Sequence, residues 1–133
     1  MLRIDTKTLT VERIGDDLGT TGDKWSGGGI GGDGCIYCIP AYHSRVLRID
    51  PVTNTVSLFG PDLHNNKSLC WAGGCAGPYG CVYGTPHNAD HVLKIDPFAR
   101  TVSLIENPIP PELCGGKLSG AALGPYGNVW FLG

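Results

Sequence analysis

In this chain of 133 residues, six cysteines, four histidines, three recurring aspartates and a pair of tryptophans are the groups best placed to do chemistry. Cys35-x-x-Cys38 has the spacing of a redox couple or half of a zinc site. Strand alternation would turn the two thiols to opposite faces, however. Cys35 and Cys81 also hold one place in a repeat, mid-strand, so both read as small buried apolar side chains. Cys75 and Cys81 flank the turn Gly77 to Gly80 and could close a disulfide across a hairpin, with Cys70 and Cys114 left over. His87-x-x-x-His91 would be a ligand pair on a helix. Here it falls in a loop beside Asn88 and Asp90, where solvated loop polarity is the plainer reading. His43 sits in the equivalent loop one repeat earlier, and His64 in a connection between repeats.

Asp5, Asp50 and Asp96 each end a strand-like segment. They form either a ring of carboxylates or, as repetition in every copy favours, acceptors for backbone N–H groups in the turn that follows. Trp25 and Trp71 open equivalent strands. They could stack a sugar, as a lectin-like module would use them, or pack neighbouring repeats together. No nucleophile elbow with a Ser/His/Asp order is present.

The elements that must position these groups come from an internal repeat. Leu2-Arg3-Ile4-Asp5 returns as Leu47 to Asp50 and as Leu93-Lys94-Ile95-Asp96, at spacings of 45 and 46. Each copy leads through a turn to a Thr-Val pair: Thr10-Val11, Thr55-Val56 and Thr101-Val102. A second anchor, Gly-x-x-Gly before an apolar strand, runs from Gly31 to Gly34, Gly77 to Gly80 and Gly124 to Gly127, at spacings of 46 and 47. Each unit then holds four short antiparallel strands. The first opens at Trp25, Trp71 or Leu118, and the second begins at Cys35, Cys81 or Asn128. The third and fourth are Val46 to Asp50 and Thr55 to Phe59 in the first complete copy. That pattern describes a β-propeller blade. Gly (21) and Pro (10) fall at fixed offsets between β-branched and aromatic runs, as all-β proteins punctuate strands.

The phase of the repeat predicts one domain over 1–133: the second half of a blade at 1–18, full blades at 24–65 and 70–110, and the first half of a blade at 117–133. Three blades are too few for a ring, since propellers typically have four to eight. Two chains sharing blades head to tail would close a six-bladed homodimer, and three would make nine blades. Composition narrows the partners. A net charge of −2 with no Lys/Arg cluster gives no footprint for nucleic acid. No apolar run is long enough for a membrane span. The strand-like start without a signal peptide fits a cytoplasmic, reducing compartment.

Gly124-Pro125-Tyr126-Gly127-Asn128-Val129-Trp130-Phe131 resembles the Gly-Pro-Asp-Gly-x-[Leu/Val]-Trp-Phe repeat of streptogramin (virginiamycin B) lyase-like propellers. Val46-Leu47-Arg48-Ile49-Asp50-Pro51 and Thr55-Val56-Ser57-Leu58-Phe59 are similar to the other half of that repeat. NHL and gluconolactonase-like propellers share the looser pattern. The resemblance spans nearly the whole chain and is one of scaffold, because these residues make turns and blade packing. The lyases use His and Glu with a magnesium ion in a seven-bladed ring, a site that does not map here residue by residue. Gluconolactonase-like propellers hold a divalent ion with Glu, Asn and Asp on the central channel. The channel positions here are Ser26, Gly27, Gly28, Ala72, Gly73, Gly74, Ser119, Gly120 and Ala121, a poor metal site.

The functional expectation is therefore a self-assembling propeller segment, natural or engineered, with no catalytic, cofactor or metal residues and with itself as partner. The alternatives are a small-molecule or glycan binding module at the ring mouth, with Trp25, Trp71, His87 and His91 facing the ligand, and a lyase- or lactonase-like enzyme with a channel ion.

Overall fold

The computed structural model describes residues 1–63, 69–108, 110, 116 and 118–133. Among them run twelve strands: β1 (Leu2–Asp5), β2 (Thr10–Arg13), β3 (Trp25–Ile30), β4 (Ile36–Pro40), β5 (Val46–Asp50), β6 (Thr55–Phe59), β7 (Trp71–Ala76), β8 (Val82–Pro86), β9 (His91–Asp96), β10 (Thr101–Glu106), β11 (Gly120–Leu123) and β12 (Val129–Leu132). They form two complete antiparallel sheets, β3-β4-β5-β6 and β7-β8-β9-β10, and two half-sheets, β1-β2 and β11-β12. These are propeller blades. The second strands begin at Ile36 and Val82, one residue later than the repeat suggests, because Cys35 and Cys81 still belong to the turn: their carbonyls accept the N–H of Gly31 and Gly77 at 2.8 Å. Among the described residues no helix is long and apolar enough to cross a membrane.

The turns explain why the repeat is so visible. Between third and fourth strands, Asp5, Asp50 and Asp96 each accept two backbone N–H bonds from the following turn: Lys7 and Thr8, Val52 and Thr53, Phe98 and Ala99. Leu9, Asn54 and Arg100 then take the left-handed conformation at φ near 55°. Asn tolerates that region better than Leu or Arg, so the side-chain identity varies while the geometry does not.

Each full blade has two apolar faces. Toward the next blade, the first blade presents Tyr37, Ile39, Val46 and Phe59, and the second blade covers them with Val82, Leu93, Ile95 and Val102. Tyr37 and Phe59 meet edge to face, with ring centroids 5.0 Å apart. Toward the preceding unit, the first blade presents Ile36, Cys38, Leu47, Ile49 and Val56 to Ile14 and Leu18. Cys35 and Cys38 therefore belong to different clusters on opposite faces, as alternation requires.

The inner strands β3, β7 and β11 stand side by side with almost nothing between their backbones. A Cβ on Gly27 would lie 2.9 Å from Gly73 Cα, and one on Gly73 would lie 2.9 Å from the Ser119 carbonyl oxygen. Both glycines have positive φ and sit where β3 and β7 shift register against their partners. The small residues of these inner strands let the blades approach: at Gly27, Gly73 and Gly74 an added Cβ would meet protein atoms of the same or adjacent blades. Gly73→Ala combines a forbidden contact with a strained φ and should cost about 1–3 kcal/mol, read as a lowered melting temperature. Gly22→Ala, where a Cβ meets nothing within 4 Å, should leave the melting temperature nearly unchanged.

Candidate functional site

Antiparallel strand order puts the start of β3 and β7, the β4–β5 and β8–β9 loops, and the end of β6 and β10 at one end of the blades. The candidate aromatic and histidine side chains gather there. The Trp25 indole N–H donates to the Arg45 carbonyl at 2.8 Å, and the Trp71 indole N–H donates to the His91 carbonyl at 2.9 Å. The same bond in both blades clamps the first strand to the start of the third. Trp71 is buried, whereas Trp25 is half-buried and stacks on His43 with centroids 4.7 Å apart. His91 opens β9 and is exposed. His87 follows β8 and is half-buried, with its backbone N–H on the Cys70 carbonyl and its own carbonyl accepting from Gly116.

Among the described residues, two buried polar atoms at this end, Thr85 Oγ1 and His87 Nδ1, have no hydrogen-bond partner. In the first blade the same two positions are Ile39 and Ala41, both fully buried. The second blade thus breaks the repeat by placing a hydroxyl and an imidazole where the first places hydrocarbon. Thr85 did not stand out in the sequence, although comparing the two copies position by position exposes it.

At the opposite end of the first blade lies a polar network. Tyr37 Oη donates to Asp33 Oδ2 at 2.8 Å, the Cys35 N–H donates to Asp33 Oδ1, and Arg48 reaches Cys35 Sγ, Asp33 and Asp50. Burial and the Asp33 carboxylate push the Tyr37 hydroxyl up to about 12, so it stays a donor. Burial pushes the Cys38 thiol up to about 11, and raises Cys35, Cys75 and Cys81 as well. Buried thiols held protonated, as at Cys35, Cys38 and Cys81, are poor nucleophiles and poor metal ligands. Cys75 lies opposite Tyr83 in the hairpin register, not opposite Cys81, and both carry free thiols, so the cross-hairpin disulfide does not form. Cys114 and His64 lie outside the described residues. Among the described residues no three His, Cys, Asp or Glu side chains converge on a metal position.

Among the described residues β12 pairs only with β11 and β1 only with β2, so a second-strand edge on β12 and a third-strand edge on β1, both paired in the full blades, are unpaired here.

No protein-family model matches the chain, and no curated protein matches it in sequence. Solved structures match it in shape. Selenomethionine-substituted virginiamycin B lyase from Staphylococcus aureus superposes with a TM-score of 0.76 at 14% identity, covering 98% of this chain and 41% of the lyase. A streptogramin B lyase gives 0.74 at 21% identity, covering 98% and 40%. Regucalcin from Agrobacterium tumefaciens, a calcium-binding protein, gives 0.50 at 17% identity, covering 75% and 34%. These likenesses establish the fold as that of β-propeller blades and bear out the resemblance read from the Gly-Pro-Tyr-Gly and Arg-Ile-Asp-Pro segments. The chain spans about two fifths of the length of the lyases it matches.

Asp5 and Asp50 are held below the ordinary carboxylate range by the turn N–H groups, Thr8 and Lys7 for the first, Thr53 and Val52 for the second. A carboxyl whose folded value is depressed stabilises the fold above its unfolded value, and loses that contribution as pH falls through the folded one. The melting temperature should therefore hold at neutral pH and decline below about pH 4. Asp50→Asn, which keeps an acceptor oxygen but cannot titrate, should show a shallower decline in the same acid scan.

Proposed function

We propose that this chain is a self-assembling propeller segment that completes its half-blades with a second copy of itself. The observation that carries the reading is the fit of its two open edges. In the complete blades the second strand pairs with the third as Ile36↔Ile49, Tyr37↔Arg48 and Cys38↔Leu47, and again as Val82↔Ile95, Tyr83↔Lys94 and Gly84↔Leu93. The same register across two copies sets Val129 opposite Ile4, Trp130 opposite Arg3 and Phe131 opposite Leu2. Arg3 would then lie beside the Trp130 ring, a favourable cation–π pairing. Unpaired edges invite pairing with any strand that fits, and here a fitting strand is carried by the chain itself. The contact is head to tail, and two copies close six blades.

Solution mass by size-exclusion chromatography with light scattering tests this. About 28 kDa, twice the 14.0 kDa of one chain, is expected. Val129→Pro, which removes an N–H that points out of the β12 edge while Trp130 keeps its bonds to β11, should return the mass to that of one chain. A wild-type chain that runs at 14.0 kDa at every concentration overturns the reading.

A second reading, a small-ligand binding module at the mouth, is favoured by Thr85 and His87. A buried polar atom without a partner costs about 1–3 kcal/mol. Ligand hydroxyls that reached them would accept from Thr85 Oγ1 and donate to His87 Nδ1, the chemistry of neutral polyols and sugars. The double variant Thr85→Ile with His87→Ala, copying the first blade, should melt higher than wild type. A panel of neutral sugars should raise the wild-type melting temperature and leave the variant's unchanged, and no shift in wild type removes this reading.

A further inference from the structure

Resting on the shared-blade reading, we infer that a groove on the second full blade is the seat for Leu2 and Ile4 of the neighbouring copy. The groove has a volume of about 270 Å³ and is lined by Tyr83, Val92 and Ile105 on the blade, with Val129 and Phe131 of β12 covering only one side. Tyr83, Val92 and Ile105 are the repeat counterparts of Tyr37, Val46 and Phe59. On the first blade those three are sealed by Leu93 and Ile95 of the next blade's third strand. On the second blade no third strand among the described residues lies over their counterparts.

The side chains that would supply it are present, and they are out of place. Leu2 and Ile4 are the repeat counterparts of Leu93 and Ile95. Leu93 and Ile95 are each 0% exposed, whereas Leu2 is 76% and Ile4 58% exposed. On the receiving side, Ile105 is 44% exposed against 7% for its counterpart Phe59. Groove and plug thus belong to one interface type that the chain already builds once, between its two full blades. They stand at opposite ends of the repeat array, so one copy's plug can reach only another copy's groove if the array is to continue.

The interface also has a limit. Gly15 and Gly60 clear space for Val56 and Val102 at the two existing junctions, with a Cβ there falling 2.5 and 2.4 Å from those side chains. At the new junction the counterpart is Glu106, so the seat is cut for Leu2 and Ile4 and not for Val11. The docking is heterologous, with a different surface on each partner, which fixes the direction in which copies add.

The test uses two variants whose substituted side chains are exposed in the single chain and leave its fold intact. Ile4→Lys spoils the plug and Ile105→Glu spoils the groove. Each alone should weaken assembly by at least about tenfold on dilution, because a charge would be buried without a partner. Mixed in equal amounts, they should recover a two-chain species, since a mixed pair keeps one intact plug and groove. If both variants assemble at the wild-type concentration while Val129→Pro does not, the groove assignment is overturned and the shared edge stands. If wild type itself is a single chain, the shared-blade reading fails first.

Discussion

A propeller blade has two apolar faces and, in water, can bury each only against another blade. That constraint orders everything else in this chain. Leu47 and Ile49 are buried because β1-β2 and the segment after it lie against them, and Leu93 and Ile95 because the first full blade does. Each such side chain is worth about 1.5–3 kcal/mol when taken from water. Where no described strand lies opposite, as at Leu2, Ile4 and Ile105, the same residue types at the same repeat positions are exposed.

Close approach of the inner strands makes this burial available. With glycine at 27 and 73, neighbouring blades touch backbone to backbone, and the faces behind them come into contact without a gap. The Trp25 and Trp71 clamps act on the same geometry from the end of the sheet. Each ties a first strand to the start of a third through one indole N–H. The polar network around Arg48 does the equivalent work at the other end of the first blade.

Function then divides between what repeats and what does not. Features present in every copy, the turn aspartates above all, are accounted for by backbone hydrogen bonds. Among the departures from the repeat are Thr85 and His87 in place of Ile39 and Ala41, and Glu106 in place of Gly60. Chemistry that would need a converging set of acidic or imidazole groups has no counterpart among the described residues.

The sequence by itself determined the blade unit, its period and its strands, because turn chemistry and alternation act over a few residues. Asp before a turn, Gly at a positive φ and a Leu-x-Ile strand each leave a local mark. It also separated Cys35 from Cys38, since alternation along one strand needs no partner. Only the tertiary structure decided that Gly73 spaces two blades, that Trp71 is enclosed while Trp25 is half-open, and that Cys75 faces Tyr83. These depend on how one blade lies against the next or on the register between strands, which no short stretch of chain encodes. The loss of burial at Leu2, Ile4 and Ile105 is of the same kind. Their residue types announce a core, and whether a core forms there is settled by what stands opposite.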